Sequence, residues 1–434
     1  MKIEERDYQN SSIDAGVEAN NGLIIAPTAA GKSVILGGIA NNLDSGTLVI
    51  QPSQEILESN FEKAISYGID ASIYSASLGK KEVSNFTYGT IKSVVNSLNK
   101  FSHIKNILID EAHLVNSKSG IYKTLIETIN PEKLIGVTAT PYRLSSTKKW
   151  GSSMKLLTRT RPKVFKEIIY NINPRDLLDL GYIIAPKLLE LNVDNSFLKF
   201  NSSGTNFTDE SIEIFTEKNN TVDKAVSLVT QKAYKHNHIL VFFNSISSSK
   251  LFVKRLKEHN IKVDEINDKS ENRTEKLKRF HNGEFKVLSN VKVLTTGYDF
   301  PALDCIIDCS PTTSAALHYQ KLGRLVRIFA GKEPVYYDLG NNIKRLGNPL
   351  NYMYHKNRTG LDEIYSERGR VTTRVLSQEA ECELGLTFGR YKNSKVKDLP
   401  DDYIDWCLDG GLKYKEWLNV LFSEKIRREY FINT

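Results

Sequence analysis

The chain has little cysteine: its 434 residues include only Cys305, Cys309, Cys382 and Cys407. No two of them stand in a Cys-x-x-Cys pair, so the spacing writes neither a zinc ribbon nor a disulfide framework. Cys305 and Cys309, on either side of Ile306-Ile307, read as core thiols. Apolar runs of membrane-spanning length are missing, as is a secretory signal, so no membrane helix is expected and the expected place of action is the cytoplasm. Acidic residues are the scarcer charge: 51 against 59 basic ones leave a formal net charge of +8. That balance suits a polyanionic partner without telling DNA from RNA. A hydrophobic content of 40% over this length supports two α/β domains and an appendage.

Against these absences stands the run Ile24-Ile25-Ala26-Pro27-Thr28-Ala29-Ala30-Gly31-Lys32-Ser33. Apolar residues feed a loop of small residues closed by Gly-Lys-Ser, the pattern of a phosphate-binding loop. The segment Pro27, Thr28, Ala29, Ala30 and Gly31 is expected to curl its backbone N–H groups around a β-phosphate. The following helix points its positive end at the anion, Lys32 adds a mobile charge and Ser33 holds Mg²⁺. A second apolar strand, Asn106 to Ile109, ends in Asp110-Glu111-Ala112-His113. Two adjacent carboxylates at a strand end supply the other half of such a site: Asp110 for Mg²⁺, partly through water, and Glu111 to polarise the attacking water. ATP and Mg²⁺ are the expected cofactors.

With these two motifs in order, the chain resembles the superfamily 2 nucleic-acid helicases of the Asp-Glu-x-His, or DEAH, type. The resemblance runs from about Asp7 to Arg327. Ala26 stands where the first loop glycine usually does, a replacement frequent in that branch. Arg6-Asp7-Tyr8-Gln9 resembles the family's glutamine motif, which implies that Gln9 reads the adenine edge with Tyr8 packed nearby. Gln51-Pro52-Ser53 with Leu57, and Thr87-Tyr88-Gly89-Thr90, resemble strand-contacting motifs, which places Pro52, Thr87, Tyr88 and Thr90 on nucleic acid. Thr138-Ala139-Thr140-Pro141 resembles the motif that couples the two sites. Leu294 to Asp299 resembles a further motif, which gives Thr295 and Thr296 to the strand and Asp299 to the ribose. Gln320 to Arg327 resembles the last. Gln320, Arg324 and Arg327 fall at i, i+4 and i+7, so one helix face is expected to present all three. The resemblance makes Arg324 and Arg327 the γ-phosphate sensor and arginine finger.

The fold this implies is α/β: two tandem RecA-like domains with parallel sheets, plus a small C-terminal region. Residues 1–146 are expected to form the first ATPase domain, 147–172 a basic connecting segment, 173–348 the second domain and 349–434 the accessory region. Leu144 to Lys149 reads as a loop. Lys148, Lys149, Trp150, Lys155, Arg159, Arg161, Lys163 and Lys166 either track a phosphate backbone or form a solvated face around one buried Trp. Asp176 to Pro186 reads as the helix, glycine cap and strand that open the second domain. Ile239 to Phe243 reads as a buried strand, Ser247 to Leu256 as a helix, and 201–220 as an exposed polar excursion.

Tyr337 to Gly347 resembles the closing segment of a subgroup, phage-encoded members included, that acts on forks and four-way junctions. Relatives with a cysteine-rich metal site after it are not matched in that respect. In the accessory region, Thr387-Phe388-Gly389-Arg390-Tyr391-Lys392 resembles a short module found beside DNA-processing enzymes. Arg390, Lys392 and Lys395 are its candidates for nucleic-acid contact, and Tyr403 and Trp406 are expected in a miniature core rather than on a stacking surface. The expected function is that of an ATP-dependent DNA helicase or translocase on branched DNA in replication, recombination or repair. Its expected partners are forks, junctions and other replication or recombination proteins, and its expected state is monomeric. The alternatives are an RNA-dependent ATPase or RNA helicase, and the motor subunit of a restriction or nuclease complex.

Overall fold

The computed structural model describes residues 5–43, 46–66, 68–147, 151–202, 206–294, 300–356, 362–366, 369–370, 386, 389–411, 417, 420–422, 424–425 and 428. They form two compact units, one built on residues through Arg143 with Lys155–Ile183, the other on Leu144–Met154, Ile184–Thr296 and the residues from Phe300 onward.

The first unit is built on β1 (Asn21–Ile25), β2 (Thr47–Gln51), β3 (Ser72–Ser75), β4 (Lys80–Lys81), β5 (Phe86–Thr90), β6 (Asn106–Asp110) and β7 (Lys133–Thr138). Its central strands are continuous apolar runs because helices cover both faces of a parallel sheet, so no alternation with polar residues is needed. Leu23, Leu48, Ile107 and Ile109 of these runs are fully buried in one core with Phe101, Leu125 and Phe165. Two further strands, β8 (Tyr142–Thr147) and β9 (Gly151–Leu156), pair as a separate hairpin, and β10 (Ile168–Asn171) completes the main sheet. The order is β10-β1-β7-β6-β2-β5-β3-β4. Every described pairing is parallel except that of β4 with β3.

This arrangement corrects the sequence boundaries. Residues 147–172 do not merely connect: β10 pairs in parallel with β1, Leu23 opposite Ile168, and Leu157 and Phe165 enter the first core. The loop expected at 144–149 is strand through Thr147. The first unit continues to Ile183, past the expected start of the second domain at 173. A parallel edge strand takes its partner from far away in sequence, so local composition does not announce it. Of the basic stretch, Arg161, Lys163 and Lys166 are exposed, and Lys148, Lys149 and Trp150 lie outside the described residues.

Three helices position the site: α1 (Asp7–Glu18), α2 (Lys32–Asn41) and α3 (Gln54–Ser66). The C-terminal end of α1 leaves carbonyls without helical partners. Lys133, buried at the start of β7, donates from Nζ to Val17 O at 2.8 Å and to Ala19 O, a cation placed at the negative end of the helix dipole.

The second unit repeats the plan with β11 (Lys187–Glu190), β12 (Ile239–Phe243), β13 (Val263–Ile266), β14 (Val287–Val291), β15 (Cys305–Asp308) and β16 (Val335–Asp338). All are parallel, in the order β11-β16-β15-β12-β14-β13. Cys305 and Cys309 are buried in its core, as their setting implies. The excursion expected over 201–220 contains the helix Asp209–Lys218, capped by the Thr208 hydroxyl and burying Ile212 and Phe215. Two apolar positions three residues apart, Ile212 and Phe215, are enough for one buried helical stripe. A small antiparallel sheet follows, β17 (Met353–Lys356), β18 (Asp362–Ser366) and β19 (Gly369–Arg370). Among the described residues no helix is long and apolar enough to cross a membrane.

Candidate functional site

The carboxyl ends of β1, β2, β6 and β7 place the sequence candidates together, as a parallel sheet with crossover helices dictates. After β1 the loop turns tightly: Ala26 N donates to Thr138 O at 3.0 Å and Ala30 N to Pro27 O at 3.1 Å. Ala29 (φ +69°) and Gly31 (φ +82°) both take left-handed conformations. For Ala29 this costs about 1 kcal/mol, strain of the kind stored where backbone N–H groups must converge on a ligand. Gly31 is also a close approach, since a Cβ there would lie 2.4 Å from Gln9 Nε2.

Gln9 and Tyr8 meet this loop. Gln9 Nε2 donates to Ala30 O at 3.0 Å, Arg6 N donates to Gln9 Oε1 at 3.0 Å, and the Tyr8 hydroxyl donates to Ala30 O at 3.2 Å. Arg6 lies 3.8 Å over the Tyr182 ring, whose centroid is 5.8 Å from that of Tyr8. The amide of Gln9 thus spans the start of α1 and the phosphate loop.

At the end of β6, Glu111 is left-handed as well, at φ +48°. Its carboxylate pairs with Lys32 through Oε1 and lies 3.2 Å from His113 Nδ1 through Oε2. Burial opposes ionisation, but the Lys32 charge and His113 outweigh it and hold the Glu111 carboxyl well below the usual range. Asp110 goes the other way, up to about 6, because it is fully buried beside the Glu111 charge while Lys32 only partly compensates. His113 Nδ1 also lies 3.1 Å from Thr138 Oγ1, which accepts the Thr140 N–H at 3.1 Å. A continuous polar chain therefore runs from Glu111 to the Thr138-Ala139-Thr140 segment.

One residue here escaped the sequence reading. Asn60 on α3 accepts from the Ser33 hydroxyl at 2.5 Å and donates to Asp110 Oδ2 at 3.0 Å and Gln51 Oε1 at 3.2 Å. It joins the two oxygens expected to face Mg²⁺. The donor set fits that cation: a hydroxyl and a carboxylate are hard oxygen ligands, and the Thr140 hydroxyl oxygen is buried without a hydrogen-bond partner among the described residues. The surviving signal is the position of Asn60, two helical turns into the helix that follows Pro52. Replacing Asn60 by Ala is expected to raise the Mg²⁺ concentration needed for half-maximal ATP hydrolysis by about tenfold, the usual scale for a group that orients metal ligands. A Mg²⁺ titration checks the shift and calorimetry of Mn²⁺ with ADP checks the binding itself; two unchanged midpoints would remove Asn60 from the site.

A groove of about 480 Å³ opens at the ends of β2 and β5, lined among others by Pro52, Ser53, Lys81, Thr90, Lys92 and Ser93. Pro52 and Thr90, expected on nucleic acid, both line this groove. Thr87 and Tyr88 do not: both are interior β5 side chains, and the Thr87 hydroxyl is engaged by Ser72 and Ser84. A strand buried on both faces leaves no outward side chain to offer. Lys81 and Lys92, not singled out in the sequence, line the same groove.

In the second unit the helix Ala315–Leu322 carries Gln320 but stops before the arginines. Arg324 N donates to Lys321 O at 3.2 Å and Leu325 N to Leu322 O at 2.9 Å, so the chain tightens into three-residue turns at Gly323. This removes the expected face: Arg324 is buried, and Arg327 follows beyond the helix with its carbonyl accepting from Lys332 Nζ at 2.9 Å. What anchors the helix is Lys321, paired with fully buried Asp308 at 2.8 and 2.9 Å; the Tyr336 hydroxyl (2.6 Å) and Asn342 Nδ2 (3.0 Å) donate to the same carboxylate. Every lone-pair direction of Asp308 is used, the condition under which a buried pair holds. Thr295, Thr296 and Asp299 lie outside the described residues, as do Thr387 and Phe388, while Arg390 and Lys392 are exposed.

Two family profiles match these units: that of the type III restriction enzyme res subunit over residues 2–143 and that of the helicase conserved C-terminal domain over 214–329. Together they take in more than half of the chain, and it belongs to the superfamily 2 helicases, with two RecA-like domains. Among curated relatives, "Putative ATP-dependent helicase IRC3" of Saccharomyces cerevisiae is 24% identical over 76% of this chain and 50% of its own length. The "51.5 kDa protein" of Lactococcus phage (isolate 7-9) is 26% identical over 75% of this chain and 67% of its own. The chain thus spans half the length of the yeast relative. Among solved structures, the ATP-dependent type ISP restriction-modification enzyme LlaBIII bound to DNA shares the fold with a TM-score of 0.55 at 17% identity, over 78% of this chain and 27% of that one.

Proposed function

We propose that this chain is an ATP-dependent DNA helicase or translocase acting on branched DNA such as forks and four-way junctions. The observation that carries the motor reading is the joint placement, in one unit, of Lys32, Ser33, Asp110 and Glu111 beside a groove of hydroxyls and lysines. Bound Mg²⁺·ATP would supply the energy of γ-phosphate hydrolysis. Lys32 and the loop N–H groups hold the phosphates, Ser33 and Asp110 take the metal, Glu111 orients and deprotonates the water, and Gln9 holds the loop against α1. Arg327, with the buried Arg324 before it, is the arginine proposed for the γ-phosphate. The Glu111–His113–Thr138 chain reports the nucleotide state toward the strand contacts.

The net charge of +8 supports a polyanionic partner of either kind, and the likeness to a restriction enzyme bound to DNA supports DNA as the polymer. The segment from Tyr337 to Gly347, with its resemblance to fork-remodelling relatives, supports the branched substrate. The same structural likeness favours a second reading, the DNA-pumping motor of a restriction or nuclease assembly. Steady-state ATP hydrolysis by wild type and Lys32→Ala, with single-stranded DNA, duplex, fork, four-way junction and structured RNA at one salt concentration, tests both. Strongest stimulation by fork or junction is expected, abolished by Lys32→Ala. Stimulation by RNA alone overturns the DNA reading, and equal stimulation by linear duplex favours the pumping motor.

A further inference from the structure

The accessory module packs its own core from Leu386, Val396, Leu399, Ile404, Cys407, Leu408 and Leu421, with Tyr391, Tyr403 and Trp417 against it. Trp406 is not part of that core. It ends the helix Asp401–Trp406 and is 56% exposed, which corrects the expectation of a buried Trp. A module this small ordinarily spends every large apolar side chain on its interior.

The exposed ring is nevertheless held in a defined place. It stacks on Tyr403 at 5.7 Å between centroids and 24° between planes, and Tyr403 meets Tyr391 edge-on at 4.7 Å. The Arg390 guanidinium lies 5.6 Å over Tyr391. Gly389, at φ +72°, brings the basic turn against the same rings, since a Cβ there would lie 2.3 Å from the Tyr403 hydroxyl. Arg390, Lys392, Lys395 and Lys397 are exposed along that turn. The neighbouring helix is acidic, but Asp401 pairs with Arg428 at 2.6 Å and Asp405 with Lys425 at 2.5 Å. Asp402 Oδ1 accepts the Tyr403 N–H at 2.8 Å.

We propose that Trp406, Tyr403, Tyr391 and Arg390 form a stacking platform for an unpaired base of single-stranded nucleic acid, with Lys392 on its phosphates. An exposed aromatic face beside a cationic edge matches the two surfaces of a nucleotide, and any base offers a face to stack. A duplex hides those faces between its pairs, so the occupant is single-stranded. The platform rests on the nucleic-acid reading above for the class of its ligand, and lies outside both matched helicase profiles.

Binding of fluorescein-labelled oligothymidylate, oligouridylate, an abasic oligomer of equal length and a duplex, measured by anisotropy on the full chain without nucleotide, tests it. Trp406→Ala is expected to weaken oligothymidylate or oligouridylate about tenfold, the scale of one lost base stack, and to leave the duplex within about twofold. The more affected of the two oligomers identifies the sugar preferred. Trp406→Phe is expected to keep most of the affinity with the same melting temperature, and the abasic oligomer to bind wild type as weakly as oligothymidylate binds Trp406→Ala. Equal binding of both oligomers by wild type and Trp406→Ala overturns the platform, as does an abasic oligomer bound as tightly as oligothymidylate. Because no ATP is present, this outcome is separate from failure of the motor, which Lys32→Ala reads.

Discussion

Glu111→Gln is expected to bind ATP with nearly wild-type affinity and to hydrolyse it about 10³-fold more slowly, within the range for a lost general base. The amide keeps the length and planarity of the carboxylate, so the turn at φ +48° and the approach to Lys32 and His113 are retained. What is lost is the charge. In wild type the Lys32 cation and His113 keep Glu111 ionised against burial, which leaves it ready to take a proton from water throughout the neutral range. Single-turnover hydrolysis together with fluorescent-nucleotide binding separates the two quantities. A variant that turned ATP over at the wild-type rate would remove Glu111 from the role, and one that failed to bind would make it a structural partner of Lys32.

Arg327→Ala is expected to lower nucleic-acid-stimulated kcat by about 10³, the scale of a missing arginine finger, with the KM for ATP changed only a few-fold. Its backbone is pinned through the Lys332 ammonium, so truncation removes the guanidinium without freeing the segment. Lysine at this position should restore little, because a point charge does not reproduce the planar fork that meets two phosphate oxygens. Arg324 serves as the comparison. Being buried, with its backbone N–H on the Lys321 carbonyl, it should cost stability as well as rate when replaced by Ala. A melting temperature unchanged in Arg327→Ala and lowered in Arg324→Ala would confirm that division, and the reverse would exchange the two assignments.

The parts of this molecule legible in its sequence are those whose chemistry is contiguous. Ala26 to Ser33 forms a tight loop because small residues, a glycine and a lysine follow one another directly, and Asp110-Glu111 closes a strand in the same local way. The buried parallel strands are equally local, since covering both faces demands unbroken apolar runs. Other features depend on partners distant in the chain. That β10 belongs to the first sheet is decided by its pairing with β1, and that Thr87 and Tyr88 are interior by what covers the two faces of β5. Asn60 reads as an ordinary polar helical residue until α3 carries it between Ser33 and Asp110.

The i, i+4, i+7 spacing of Gln320, Arg324 and Arg327 is genuine periodicity, yet the helix ends at Leu322. Period alone does not carry the information that the chain tightens there and turns Arg324 inward. Trp406 shows the same limit from the other side, because hydrophobicity favours burial and only the completed core around Ile404 and Leu421 leaves that ring outside. By itself the sequence determined the α/β class and the order of the motifs, both consequences of short-range backbone and side-chain preference. Only the tertiary structure decided which polar groups meet, which are buried and where each unit ends, because burial and hydrogen bonding are settled by neighbours that the chain brings together from far apart.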